Sequence, residues 1–334
     1  MNFERRSEHI RNDKLEELLQ EINGLLNPLE SCLTSSFEKT KYPILLIMGC
    51  ARSGTTLMLQ WLGSSGYFSY PTNILSRFYG APYIGAKIQL MLTKHDFNDE
   101  IFDFNEEIPF VSSLGKTKGA LAPNEFWYFW RRYFHYGDIQ YLNDVELNEI
   151  DYRSFISEVA AIESVFDRPF AMKGMIVNWN IPFIADILQK VIFIYMERHP
   201  FYNIQSLLEA RKKYYGNINA WYSFKPIEYT SLKDRDPYEQ VAGQVYYTNR
   251  AIKEGLSKID NAKVLTVCYE DLCQNPEVAF GKIIDKLQIQ GVDADWPYNG
   301  TALFENTNRI LASDEEKEKI ISAYNNISGE TLKL

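Results

Sequence analysis

Long apolar runs are missing from this 334-residue chain. No stretch of about 18 consecutive apolar residues occurs, which excludes a transmembrane helix as far as sequence can. The first residues, Met1-Asn-Phe-Glu-Arg-Arg6, lead into charge and not into an apolar signal core. Cysteine is scarce. The four present (Cys32, Cys50, Cys268 and Cys273) show neither a disulfide framework nor metal spacing. Cys50 and Cys268 fall in apolar runs, where a reduced, buried thiol is expected. The four histidines are scattered, so no metal centre is expected. No strongly basic block appears, and a net charge of −9 argues against general nucleic-acid binding while leaving room for a local basic pocket. These absences predict a soluble, cytoplasmic protein without nucleic-acid partners. They leave its oligomeric state open, a homo-oligomer included.

What is present points to an α/β domain. Hydrophobic content of 46% is ample for a core, and aromatic content of 14% is high. Continuous apolar runs at 44–48, 191–196 and 263–269 read as strands buried on both faces. A short strand is expected within 170–175, with helices near 55–62, 182–189, 237–258, 276–288 and 314–325. Strand and helix alternate around parallel strands, which predicts a three-layer sandwich with a central, mostly parallel sheet. Leu15, Leu18, Leu19, Ile22, Leu25 and Leu26 lie at helical spacing and predict an amphipathic helix over 13–27. We therefore read residues 1–40 as an N-terminal helical extension and 41–334 as one domain. Alternation breaks over about 71–165, which reads as a helical, aromatic insertion.

The segment Ile44-Leu-Leu-Ile-Met-Gly-Cys-Ala-Arg-Ser-Gly-Thr-Thr-Leu57 carries the most chemistry. A strand enters a glycine turn and a helix follows, so unpaired amides gather at the positive end of a helix dipole and form an anion site. The spacing of Gly49 and Gly54 mimics a nucleoside-triphosphate loop, but Thr55 stands where that loop needs lysine. The cation sits inside the turn instead, at Arg52. A second anion site follows at Arg198-His-Pro-Phe-Tyr-Asn-Ile-Gln-Ser206, where Arg198 ends a strand and Ser206 falls in the next helix. Ligands of parallel sheets bind beyond the carboxyl ends of strands, which sets Arg198 on the same edge as Arg52.

These segments resemble the sulfotransferases that use 3′-phosphoadenosine 5′-phosphosulfate. Arg52-Ser53-Gly54-Thr55-Thr56 is similar to their 5′-phosphosulfate loop, and Arg198-His199-Pro200 with Ser206 to their 3′-phosphate site. Val267-Cys-Tyr-Glu-Asp-Leu272 followed by Pro276 is a third, weaker match. The resemblance spans about three quarters of the chain, in family order. It implies transfer of a sulfuryl group from that donor to a hydroxyl or amine of a carbohydrate, lipid or small metabolite, with adenosine 3′,5′-bisphosphate as product. It further implies that Arg52, Ser53, Gly54, Thr55, Thr56 and Leu57 hold the 5′ end of the donor, that Arg198 and Ser206 hold the 3′-phosphate, and that Arg309 joins them from a late loop. The reaction needs positioning and charge stabilisation more than covalent chemistry, with Arg52 as the principal cation.

The general base is not given by the resemblance. Where relatives carry a catalytic glutamate after the loop, this chain reads Tyr70-Pro-Thr-Asn-Ile-Leu-Ser-Arg77, without an acid. Asn73 and Arg77 either orient the reacting groups or brace a helix. Glu125 is the first candidate, because the rings around it in Ala122-Pro-Asn-Glu-Phe-Trp-Tyr-Phe-Trp130 would desolvate a carboxylate. The alternative is a first-turn glutamate behind an Asn124 cap. His95 is second. Lys173, after the short strand, belongs either to the active site or to a solvated rim. Aromatics crowd 126–136 and 214–229, either as an acceptor cleft or as ordinary core. Two rivals stay open: a nucleotide-binding module without catalysis, and a nucleotide kinase.

Overall fold

The structure is a computed structural model that describes residues 4–96, 110 and 112–334. Helix α1 (Asp13–Thr34) is followed by strand β1 (Ile44–Gly49) and helix α2 (Thr55–Ser64). Then come α3 (Pro82–Leu92), α4 (Trp127–Trp130), α5 (Asp144–Asn148) and α6 (Tyr152–Phe166). These four fall in the stretch read as an insertion, of which residues 97–109 and 111 lie outside the described residues. The remainder runs β2 (Ala171–Lys173), α7 (Ile181–Ile187), β3 (Val191–Glu197), α8 (Pro200–Tyr215), α9 (Tyr229–Leu232), α10 (Pro237–Leu256), β4 (Val264–Cys268), α11 (Tyr269–Gln274), α12 (Pro276–Ile289) and α13 (Asp314–Ser328).

All strands pair in parallel, in the order β2-β1-β3-β4. The register sets Ile47 beside Lys173, Gly49 beside Met196 and Glu197 beside Cys268, so loops of chemical interest leave one edge. Every residue of β1 is buried. Alternation divides them: Ile44, Leu46 and Met48 join one core with Phe155, Phe193 and Tyr195, while Leu45 and Ile47 join another with Trp61, Ile192, Ile194 and Phe280. That is the expected three-layer sandwich.

Helix α1 runs about two turns past the expected end at residue 27, through Pro28. Proline withholds one amide and ordinarily breaks a helix, but tertiary bonds hold this one on both sides of it. Asn23 donates to the Arg77 carbonyl at 2.8 Å and accepts from the Gly80 amide at 2.6 Å. Beyond the proline, the buried Glu30 carboxylate accepts from the Tyr83 and Ile84 amides at 2.5 and 3.1 Å, capping α3. Among the described residues no helix is long and apolar enough to cross a membrane, and no group of side chains has metal-ligand geometry.

Candidate active site

Residues 49–56 form a turn whose carbonyls face the protein. Asn178 donates to the Gly49 carbonyl at 2.9 Å, Asn203 to that of Ala51 at 2.7 Å, and Arg198 to that of Arg52 at 2.9 Å. The Cys50 carbonyl accepts from the Ser53 amide at 3.2 Å. Gly54, at φ +97°, caps α2 without a side chain, so no side chain satisfies the first amides of that helix. A methyl group at Gly54 would meet the Tyr269 ring at 2.6 Å. Arg52 is held in the left-handed region, φ +69°, which costs a non-glycine residue on the order of 1–3 kcal/mol. Its partners on β3 and α8 fix it there: Nε donates to the Ser206 hydroxyl at 3.2 Å, beside the Arg198 bond to its carbonyl.

The two sequence-predicted anion sites therefore meet at Arg52. Arg198 is buried, and burial draws its guanidinium below the ordinary value. It donates to Asn308 Oδ1 at 2.9 and 2.7 Å and lies 4.7 Å over the Tyr269 ring. Glu270 accepts from the His199 amide at 3.1 Å and from Asn308 at 2.6 Å, so the third motif braces the late loop against β3. Arg309 is not brought in. Its side chain is 69% exposed and lies 3.9 Å from Glu305. Leu57 packs its side chain against the second core, which leaves only its amide for a ligand. Thr55 gives its hydroxyl to Met175 Sδ at 3.3 Å, and Ser53 Oγ is buried without a partner among the described residues.

On the other side of the loop lies Lys173, 1% exposed at the end of β2. Its Nζ donates to Thr56 Oγ1 at 2.7 Å and pairs with Glu125 Oε1 at 2.8 Å. Lys173 is thus buried beside the loop and not on a solvated rim. Trp127 Nε1 donates to the other Glu125 oxygen at 2.6 Å. Glu125 precedes α4 and is not in its first turn, because Phe126 takes φ +58° and Asn124 accepts from its amide at 2.9 Å. The rings expected to desolvate Glu125 share its surroundings with an ammonium, so an ion pair replaces the apolar pocket. His95 sits in an exposed turn after α3 and does not line the cavity described next. Asn73 braces the 117–124 segment through Gly119 and Asn124 at 2.8 and 2.7 Å, whereas Arg77 faces the cavity.

That cavity has a volume of about 1050 Å³ and ends at Arg52, Thr55, Thr56, Glu125 and Lys173. The aromatic segments divide between wall and core. Trp127, Tyr128, Tyr214, Tyr215, Tyr222 and Phe224 line it, while Phe129, Trp130 and Phe134 pack on Phe155 below. Burial pushes the Tyr222 phenol up to about 12, which keeps it a neutral hydroxyl. Residues before α1 and on it complete the wall. The Arg6 amide donates to the Tyr214 carbonyl at 3.0 Å, His9 stacks on Tyr214 at 4.6 Å, and Tyr128 donates to Glu16 at 2.6 Å. Neither the asparagines behind the loop nor this N-terminal wall carries a local sequence signal. Tyr269 and Glu270 did, through the weaker motif.

The family model described as "Sulfotransferase family" matches residues 43–294. Among solved structures, sulfotransferase STF9 from Mycobacterium avium is 13% identical, with 96% of this chain and 85% of that one covered at a TM-score of 0.49. Sulfotransferase STF1 from Mycobacterium tuberculosis H37Rv is 13% identical, with 92% and 78% covered at a TM-score of 0.48. The sulfotransferase domain from the curacin biosynthetic pathway is 16% identical, with 75% of each chain covered at a TM-score of 0.39. No curated protein matches the sequence. The match over 43–294 includes the loop, Arg198, Ser206, Lys173 and Glu125, and by it the chain belongs to the sulfotransferase family.

Proposed function

We propose that this chain moves a sulfuryl group from 3′-phosphoadenosine 5′-phosphosulfate to a hydroxyl or amine of a small acceptor. One observation carries the reading. Arg52 is clamped between two anion-binding side chains, Arg198 and Ser206, while Lys173 and Glu125 flank the opposite side of the same loop at Thr56. The residues suit a doubly anionic nucleotide. Loop carbonyls are turned away, helix amides lack a side-chain cap, and the buried Ser53 hydroxyl has an unused bond.

In this reading the amides of residues 53–57 and the Arg52 guanidinium hold the 5′ end. Arg198 and Ser206 take the 3′-phosphate, Arg198 releasing Asn308 and Thr307 to do so. When bound, the donor supplies an activated sulfuryl group. Lys173 and Arg52 stabilise charge in transit, in a setting where preorganised donors need no rearrangement. Glu125 Oε accepts the proton that the acceptor hydroxyl loses, and Lys173 holds that carboxylate at the loop.

Calorimetric titration with adenosine 3′,5′-bisphosphate, AMP and ATP tests the donor assignment. Micromolar binding that requires the 3′-phosphate and weakens at least tenfold in Arg198→Ala is expected, since each removed charge-assisted bond is worth about 1.5–3 kcal/mol. Equal or tighter binding of ATP would overturn it.

A further inference from the structure

Eight of the side chains lining the cavity are lysine or arginine and two are glutamate, an excess of six positive charges on a chain whose total is −9. Both carboxylates are engaged, Glu125 by Lys173 and Glu16 by Tyr128. Arg52 lies in the loop, and Lys173 donates to it at Thr56. The other six cations are Arg5, Arg11, Arg77, Lys116, Lys118 and Arg131. They come from separate segments: the residues before α1, the turn before α3, the 113–118 segment and the end of α4. Among the described residues none of the six pairs with a carboxylate. Arg5 and Arg11 instead set their guanidinium groups 5.4 and 5.9 Å over the Tyr214 and Tyr128 rings, at the cavity wall.

An acidic protein that gathers cations without a carboxylate partner among the described residues around one concave, aromatic wall concentrates anions there. The nucleotide's phosphates do not account for them, since Arg198 and Ser206 lie beyond the cavity, on the far side of Arg52. We infer that the acceptor is itself anionic: a small hydroxyl compound carrying a carboxylate or phosphate beside a flat or apolar part that stacks on the tyrosines. The inference rests on the sulfuryl-transfer reading for what happens to the acceptor, but the binding preference can be measured without transfer.

The probes are 4-nitrophenyl β-D-glucoside and its glucuronide and 6-phosphoglucoside counterparts, which share a ring and hydroxyls and differ in charge. Each is titrated into the full chain, with and without adenosine 3′,5′-bisphosphate, at low and high salt. Both charged probes should bind about tenfold tighter than the neutral one, with the gap closing at high salt as rim electrostatics are screened. The tighter of the two names the anion. Arg77→Glu with Arg131→Glu should remove the preference while changing the affinity for the bisphosphate less than twofold. Equal affinity for all three probes, binding of none, or an equal loss of bisphosphate affinity in the double variant would overturn the anionic acceptor. Failure of the bisphosphate alone to bind would overturn the donor assignment instead, with the comparison among probes still readable.

Discussion

Lys173→Met isolates the contact that joins the loop to Glu125. Methionine matches the length of lysine and removes one charge from a position that is 1% exposed. Two effects follow, and they differ in size. A preorganised donor lost from a site of developing charge costs on the order of 10²–10³ in kcat, about 2.7–4 kcal/mol. For the fold, removing one partner of a fully buried pair costs about 3–5 kcal/mol. Here the partner left behind is 29% exposed and keeps Trp127 Nε1 at 2.6 Å. Water reaches the orphaned carboxylate, and the buried ammonium no longer needs dehydration, so about 1–2 kcal/mol is expected. Melting should therefore drop by only a few degrees, roughly 2–4 °C per kcal/mol at this size class. The assay is release of adenosine 3′,5′-bisphosphate with an acceptor that the wild type turns over, at saturating donor and a temperature where both proteins are folded. Lys173→Arg should recover part of the rate. A kcat for Lys173→Met within threefold of wild type would refute the assigned role, whatever the melting curve shows.

Arg52→Ala should lower the rate by on the order of 100-fold or more; a loss confined to KM would show that the guanidinium binds donor without stabilising transfer. Gly54→Ala places a methyl 2.6 Å from the Tyr269 ring at φ +97°, so it should weaken bisphosphate binding and lower the melting temperature together, read by calorimetry and circular dichroism. Burial pushes the Glu30 carboxyl from 4.5 up to about 7, against the pull of its two amide bonds. The folded chain then keeps a proton that the unfolded chain has lost across that window, so stability falls as pH rises through it, by about 3 kcal/mol. Glu30→Gln should flatten the change in urea midpoint between pH 5 and pH 8, and a wild type that gains stability over that range would contradict the sign.

The sheet was legible because a strand buried on both faces must be apolar, and β1 and β3 are, up to Glu197 at the end of β3. The anion loop was legible because glycine turns and helix starts are local, and Arg198 because it ends such a strand. Length misled at α1, where bonds from Asn23 and Glu30 to residues more than fifty positions away carry the helix past a proline. The Lys173–Glu125 side of the loop was least visible. Lys173 and Glu125 are 48 residues apart and meet only through the fold, so alone one read as well as a solvated rim and the other as a first-turn glutamate. Arg309 shows the converse, a local pattern without the spatial convergence it suggested.

The N-terminal wall bears on how such a chain acquires a new substrate. Arg5, Arg11, Glu16 and Leu19 touch the cavity yet lie before residue 43, where the family match begins. The glycine loop, Arg198 and the sheet that carries them sit inside the matched region, whereas part of the cavity wall is an N-terminal segment tied down at Tyr128 and Tyr214. Kinship judged from the matched region therefore reports on the loop and the sheet and is blind to the part of the cavity wall that precedes it.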